Sequence, residues 1–152
     1  MTFKSYFFDT SALFKRYVEE KGSQVVDKIF AQSTGKYITS ICLVEVVSNL
    51  RRLVDVDEIL NEEEFAMVKG IFLSDIKNAK IEVIEVTTPI ILAALDNCSE
   101  NYITPLDSIQ LATVIENPKE FIFVCSDNKL LKLASQKGLD ILNPEDNTFH
   151  FS

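Results

Sequence analysis

Two runs constrain this chain most. Tyr6-Phe7-Phe8 and Phe121-Ile-Phe-Val-Cys125 are apolar at every position, with none of the alternation that marks a strand wet on one face. A strand apolar throughout is covered on both sides, and that is the signature of a parallel sheet between layers of helices. The rest of the chain alternates accordingly. Strands are predicted at Lys4–Phe8, Tyr37–Thr39, Ile81–Val86, Phe121–Cys125 and Leu139–Leu142. Helices are predicted at Ser11–Glu20, Ser23–Gln32, from Ser40 to about Leu53, once or twice within Asp57–Asn78, after Thr88-Pro89, from Thr104-Pro105 to about Glu116, and over Asp127–Lys137. Gly22 and Gly138 punctuate helix ends, and each Thr-Pro pair reads as a cap followed by a first-turn proline. The expected fold class is therefore α/β, a mostly parallel sheet of about five strands flanked by helices on both faces. The length of 152 residues suits one domain, taken as 1–145 with a short tail at 146–152.

Composition removes several functions. No apolar run approaches the ~18 residues of a membrane helix. The start does not read as a signal peptide, because Asp9 interrupts its apolar stretch. Cys42, Cys98 and Cys125 are odd in number and scattered, without disulfide or zinc spacing, so a reducing cytoplasm is the expected compartment. The one histidine, His150, leaves little for Ser-His-Asp or His-metal chemistry. A net charge of −8 argues against sequence-blind binding of polyanions and agrees with a site that is itself acidic.

Four acids are the candidate site: Asp9, Glu45 and Asp127 stand where a strand or its continuation enters a helix, beyond the carboxyl ends of the strands where an open α/β sheet binds ligands, and Asp107 joins them from a loop. Asp9 directly follows the first strand, and Asp127 follows Phe121–Cys125 with only Ser126 between. Glu45 falls in the second turn of the helix after Tyr37–Thr39, and Asp107 in the first turn after Thr104-Pro105. Carboxylates brought together repel, and a hard divalent cation such as Mg²⁺ or Mn²⁺ relieves that repulsion through oxygen ligands while keeping water of its own. Each acid also has a plainer reading. Asp9 and Asp127 suit helix N-termini, Asp107 suits a capping box, and Glu45 shares a polar stripe with Ser48, Asn49 and Arg52. The surroundings of Glu45, namely Ile41, Cys42, Leu43, Val44, Val46 and Val47, predict a buried helix start in which a lone carboxylate needs a partner. Lys15 and Arg16, Arg51 and Arg52, and Lys129 and Lys132 follow the acids as a candidate cationic rim for a phosphate substrate, or as ordinary helix surface. Ser11, Ser126, Arg16 and Asn49 are the weaker candidates for supporting the acids or touching substrate.

The stretches YFFDTSALFKRYVEEKGS, YITSICLVEVVSNLRR, YITPLDSIQLATV and FIFVCSDNKLLKLASQKGLDILNPE resemble, in order and over nearly the whole chain, the PIN domains of VapC-type toxins. The resemblance implies a Mg²⁺- or Mn²⁺-dependent endoribonuclease, often a homodimer and often neutralised by a small antitoxin. It implies that Asp9, Glu45, Asp107 and Asp127 are the metal-site acids, with Ser11 as a hydroxyl beside the first. One departure stands out. The family often has a hydroxyl residue two positions before the last acid, and here that position is Cys125, with Ser126 adjacent. Two other readings compete. One is a catalytically silent PIN fold acting as a binding or regulatory protein. The other is a haloacid-dehalogenase-like phosphohydrolase, whose usual second acid is replaced here by Ser11. The apolar surplus, including 11 Phe, adds an expected self-association surface, with Phe65–Phe72 as its candidate.

Overall fold

The computed structural model describes residues 4–146. His150 and most of the expected tail lie outside them. The described residues form five strands, β1 (Ser5–Phe8), β2 (Lys36–Thr39), β3 (Glu82–Ile84), β4 (Phe121–Val124) and β5 (Asp140–Leu142). All pair in parallel, in the order β3-β2-β1-β4-β5. The seven helices are α1 (Thr10–Phe14), α2 (Ser23–Phe30), α3 (Ser40–Asp55), α4 (Glu62–Lys77), α5 (Thr88–Glu100), α6 (Pro105–Glu116) and α7 (Asn128–Gln136). The expected α/β class and parallel sheet are thus present.

The pleat explains why Tyr6–Phe8 of β1 and all of β4 are apolar. Tyr6, Phe8 and Val124 point to one face, where they pack with residues of α1 to α4 such as Leu13, Val26, Leu50 and Phe72. Phe7, Phe121 and Phe123 point to the other, against Leu111 and Val114 of α6 and Leu130 and Leu133 of α7. Successive side chains of a strand face opposite ways, so a strand with a core on each side has no polar position. α5 packs on the outside of α6 through Ile90, Ala94 and Ala112.

Several boundaries differ from the expectation, each for a tertiary or capping reason. The helix after Asp9 ends at Phe14 and not at Glu20. Beyond it Lys15 turns inward to pair with Glu20 and Glu145, while Arg16 and Tyr17 both reach Asp75 on α4. Those buried polar contacts hold the chain in turns where local propensity alone would continue a helix. The cap of α3 is Thr39, whose hydroxyl accepts from the Cys42 amide, and that of α5 is Thr87, one residue before the Thr88 expected from its Thr-Pro pair. Asp57–Asn78 holds one helix, started by a capping box between Asn61 and Glu64. Gly22 is required where it stands. Its φ is +92°, and a Cβ there would meet the Pro144 carbonyl oxygen at 2.9 Å.

Candidate active site at the carboxyl edge of the sheet

The strand order creates the site. From β1 the chain builds outward to β2 and β3, then returns to lay β4 on the other side of β1. The loops leaving β1 and β4 therefore diverge, and the crevice between them is where an open α/β sheet takes ligands. Asp9 leaves β1 and Asp127 leaves β4, and each caps the helix that follows. Asp9 Oδ1 accepts from the Ala12 amide at 3.0 Å, and Asp127 Oδ1 accepts from the amides of Lys129 at 2.9 Å and Leu130 at 3.2 Å. The plainer reading of these two acids as helix caps is thus true of their geometry. It is compatible with a second role, since a cap occupies only part of a carboxylate's accepting capacity.

Glu45 comes from α3 and Asp107 from the first turn of α6, begun by the Thr104 cap. All four acids line one cleft of about 190 Å³, together with Thr10, Ser11, Asn49 and Gln110. Asp9 sits deepest, only 5% exposed. Burial pushes its carboxyl up to about 6, against the opposing pull of the Ala12 amide, Ser11 and Cys125, and with a further rise from the charge of Asp107. Burial likewise raises Glu45, with a contribution from Asp107, and raises Asp107, with a contribution from Asp127. The acids therefore sense one another, as carboxylates sharing a site do.

The supporting shell is built from short polar side chains. The Ser11 hydroxyl lies 2.9 Å from both oxygens of Asp9. The Cys125 thiol donates to Asp9 Oδ2 at 3.3 Å, so the departure from the usual hydroxyl residue places a weaker donor against the deepest acid. Ser126 reaches this shell through its backbone, its amide lying 3.5 Å from the Ser11 hydroxyl, while its own buried Oγ has no partner. Asn49 lines the cleft one helical turn beyond Glu45. Arg16 does not. It is turned to the other edge of the molecule, ion-paired to Asp75 at 3.0 Å and stacked on Phe30. The cationic rim is correspondingly thin. Lys15 is buried in its own ion pairs, Arg51 binds Asp55 and Glu62, and Arg52 faces Asp57. Lys129 and Lys132 line a separate groove beside α7. The start of α3 is also less buried than expected, since Val44 is 72% exposed.

Two residues of the site escape a reading of the sequence. Thr10 donates to Glu45 Oε1 at 3.0 Å, and Gln110 donates to the Thr10 hydroxyl at 3.4 Å while accepting from Thr39 at 3.3 Å. All three are buried. The available signal was Gln110 itself, an amide among Ile109, Leu111, Ala112 and Val114, because a polar group in so apolar a helix must be satisfied by something.

Oxygen-only donors with like charges in one cleft fit a hard divalent cation. Among the described residues no group of three or more His, Cys, Asp or Glu is placed to hold a metal ion.

Comparison with known proteins agrees with the fold. Among solved structures, the chain resembles FitAB bound to an IR36 DNA fragment, with a TM-score of 0.69 and 13% identity, covering 96% of this chain and 99% of that one. It resembles a toxin-antitoxin complex from Klebsiella pneumoniae at 0.64 and 16%, covering 92% and 98%, and DNA-bound VapBC from Salmonella typhimurium at 0.63 and 15%, covering 93% and 99%. No curated protein matches the sequence. The family model of the PIN domain matches residues 6–141, which is nearly all of the described chain, and the protein belongs to the PIN domain family.

Proposed function

We propose that the chain is a Mg²⁺- or Mn²⁺-dependent endoribonuclease and the toxin of a toxin-antitoxin module, acting in the cytoplasm. The observation that carries the reading is the convergence of Asp9, Glu45, Asp107 and Asp127, from four separate segments, on one cleft at the switch point of the sheet. PIN domains are generally nucleases, and the Klebsiella pneumoniae neighbour, named as a toxin-antitoxin complex, supports the toxin role. The same neighbour supports a small antitoxin as partner. The three scattered, unpaired cysteines support the compartment. No helix of the described residues is long and apolar enough to cross a membrane.

Asp9, Asp107, Asp127 and Glu45 would hold the cation. When bound, it supplies an acidified water and neutralises charge on the phosphoryl oxygens. The chain's own contribution is position. The Ala12 amide and the Ser11 hydroxyl fix Asp9, the amides of α7 fix Asp127, and Thr10 backed by Gln110 fixes Glu45. Without a cation, burial holds the Asp9 carboxyl up at about 6 and also raises that of Glu45, so both charges gain from a cation beside them.

The test is cleavage of a broad RNA panel, tRNA included, with Mn²⁺. Asp9→Asn, Asp107→Asn and Asp127→Asn are expected to abolish cutting, and Glu45→Gln to slow it by about 100-fold. Melting temperatures of the same variants separate lost chemistry from lost folding. Cleavage at the wild-type rate in all four variants, or no cleavage by the wild type, would leave the silent PIN fold as the better reading.

A further inference from the structure

A second cleft opens at the opposite edge of the sheet, where β2 and β3 begin. Its lining includes Arg16, Phe30, Thr34, Lys36, Lys80 and Glu82, and its volume is about 410 Å³, against about 190 Å³ for the acid cleft. Three of these four charged residues are cations, in a chain whose net charge is −8. Each potential donor has capacity left over. The Arg16 Nε donates to Asp75 and the guanidinium lies 4.0 Å over the Phe30 ring, which fixes its plane. A guanidinium carries five N–H donors, and Asp75 and Tyr17 engage a minority of them.

Lys36 is only 7% exposed, donates to the Gln32 carbonyl oxygen, and has no carboxylate at ion-pair distance among the described residues. Burial and the charge of Arg16 both push its ammonium below the ordinary lysine value, the direction expected of a cation in want of an anion. The Thr34 hydroxyl is buried in the same wall without a hydrogen-bond partner. A buried hydroxyl left unsatisfied is destabilising, so a ligand oxygen that accepts from it is favoured.

We infer that this cleft binds a phosphate monoester of nucleotide size, its oxygens accepting from Arg16, Lys36 and the Thr34 hydroxyl, with Lys80 at the mouth. A phosphate offers several oxygens and up to two negative charges, which match donors arriving from α2–β2, from the turn after α1 and from the turn before β3. The volume lies in the range of small-molecule sites and exceeds what a bare phosphate fills. The Phe30–Arg16 stack gives one wall a flat surface of the kind that receives a nucleobase. A free mononucleotide and the 5′-phosphate of an RNA strand both carry this chemistry. The site is separate from the acid cleft and does not depend on the nuclease reading.

The experiment is calorimetric titration of the full chain in EDTA, which silences any metal-dependent binding at the acids. The probes are AMP, a short 5′-phosphorylated RNA and the same RNA without its phosphate. One saturable site per chain is expected, about tenfold weaker in Lys80→Glu and in Thr34→Val and unchanged in Asp9→Asn. Lys80 is exposed, so its variant tests charge without risk to the fold. Binding of AMP supports the inference with a free nucleotide as ligand. Binding of the phosphorylated RNA alone supports it with a strand end as ligand. No saturable binding by either, equal affinity in Lys80→Glu and Thr34→Val, or loss of binding in Asp9→Asn overturns it.

Discussion

Asp9→Asn should stabilise the metal-free protein, and only above a particular pH. The carboxyl of Asp9 is pushed from its ordinary 3.8 up to about 6, chiefly by burial. Between those two values the folded chain holds a proton that the unfolded chain has released, so stability falls as pH rises. Below about pH 3.8 the cost is absent, and above about pH 6 it is complete. At about 1.36 kcal/mol per pH unit the full cost is about 3 kcal/mol. An amide has nearly the same shape and no charge, and its oxygen still accepts from the Ala12 amide and the Ser11 hydroxyl. At pH 8 in EDTA the variant should therefore melt several degrees higher than wild type, about 2–4 °C for each kcal/mol in a chain of this size. At pH 4 the difference should nearly vanish. Adding Mg²⁺ should raise the wild-type melting temperature and leave that of Asp9→Asn little changed, because only the charged site gains from the cation. Differential scanning calorimetry across this pH range is the assay. A variant less stable than wild type at pH 8, or a gain of the same size at pH 4, would refute the claim that burial of a charged Asp9 stores the energy.

Asp75→Ala strands the Arg16 charge and removes the acceptor of the Tyr17 hydroxyl, and should cost about 3 kcal/mol by denaturant unfolding while leaving metal binding intact. Thr10→Val removes the hydrogen bond to Glu45 and should weaken Mn²⁺ affinity about tenfold by calorimetry, whereas Thr10→Ser should restore it. The chain should run as a homodimer in light scattering at micromolar concentration. Phe72 of the expected surface is fully buried, but Met67 and Ile71 of α4 remain exposed, as do Leu92 and Leu95 of α5. Either Ile71→Glu or Leu92→Glu should yield monomer, and a monomeric wild type would refute the expectation.

Much of this protein follows from sequence because its signals are local or periodic. The apolar runs at Tyr6–Phe8 and Phe121–Cys125 required a covered parallel sheet, and Asp9, Glu45 and Asp127 stood where a strand or its continuation enters a helix. Such junctions fix which edge of the sheet a side chain reaches, whereas Asp107 enters from the loop between α5 and α6 and is brought to that edge by the packing of α6. What lay beyond the sequence depends on partners distant along the chain. Nothing within α1 says that it stops at Phe14, since that is decided by Asp75, about 60 residues later, taking Arg16 and Tyr17 away from the acid cleft. Nor does the local pattern say that Gln110 serves Thr10 and Thr39, which are brought to it only when α6 and β2 close around the switch point. Propensity and periodicity act over a few residues, whereas the satisfaction of a buried polar group is set by whatever the finished packing places beside it.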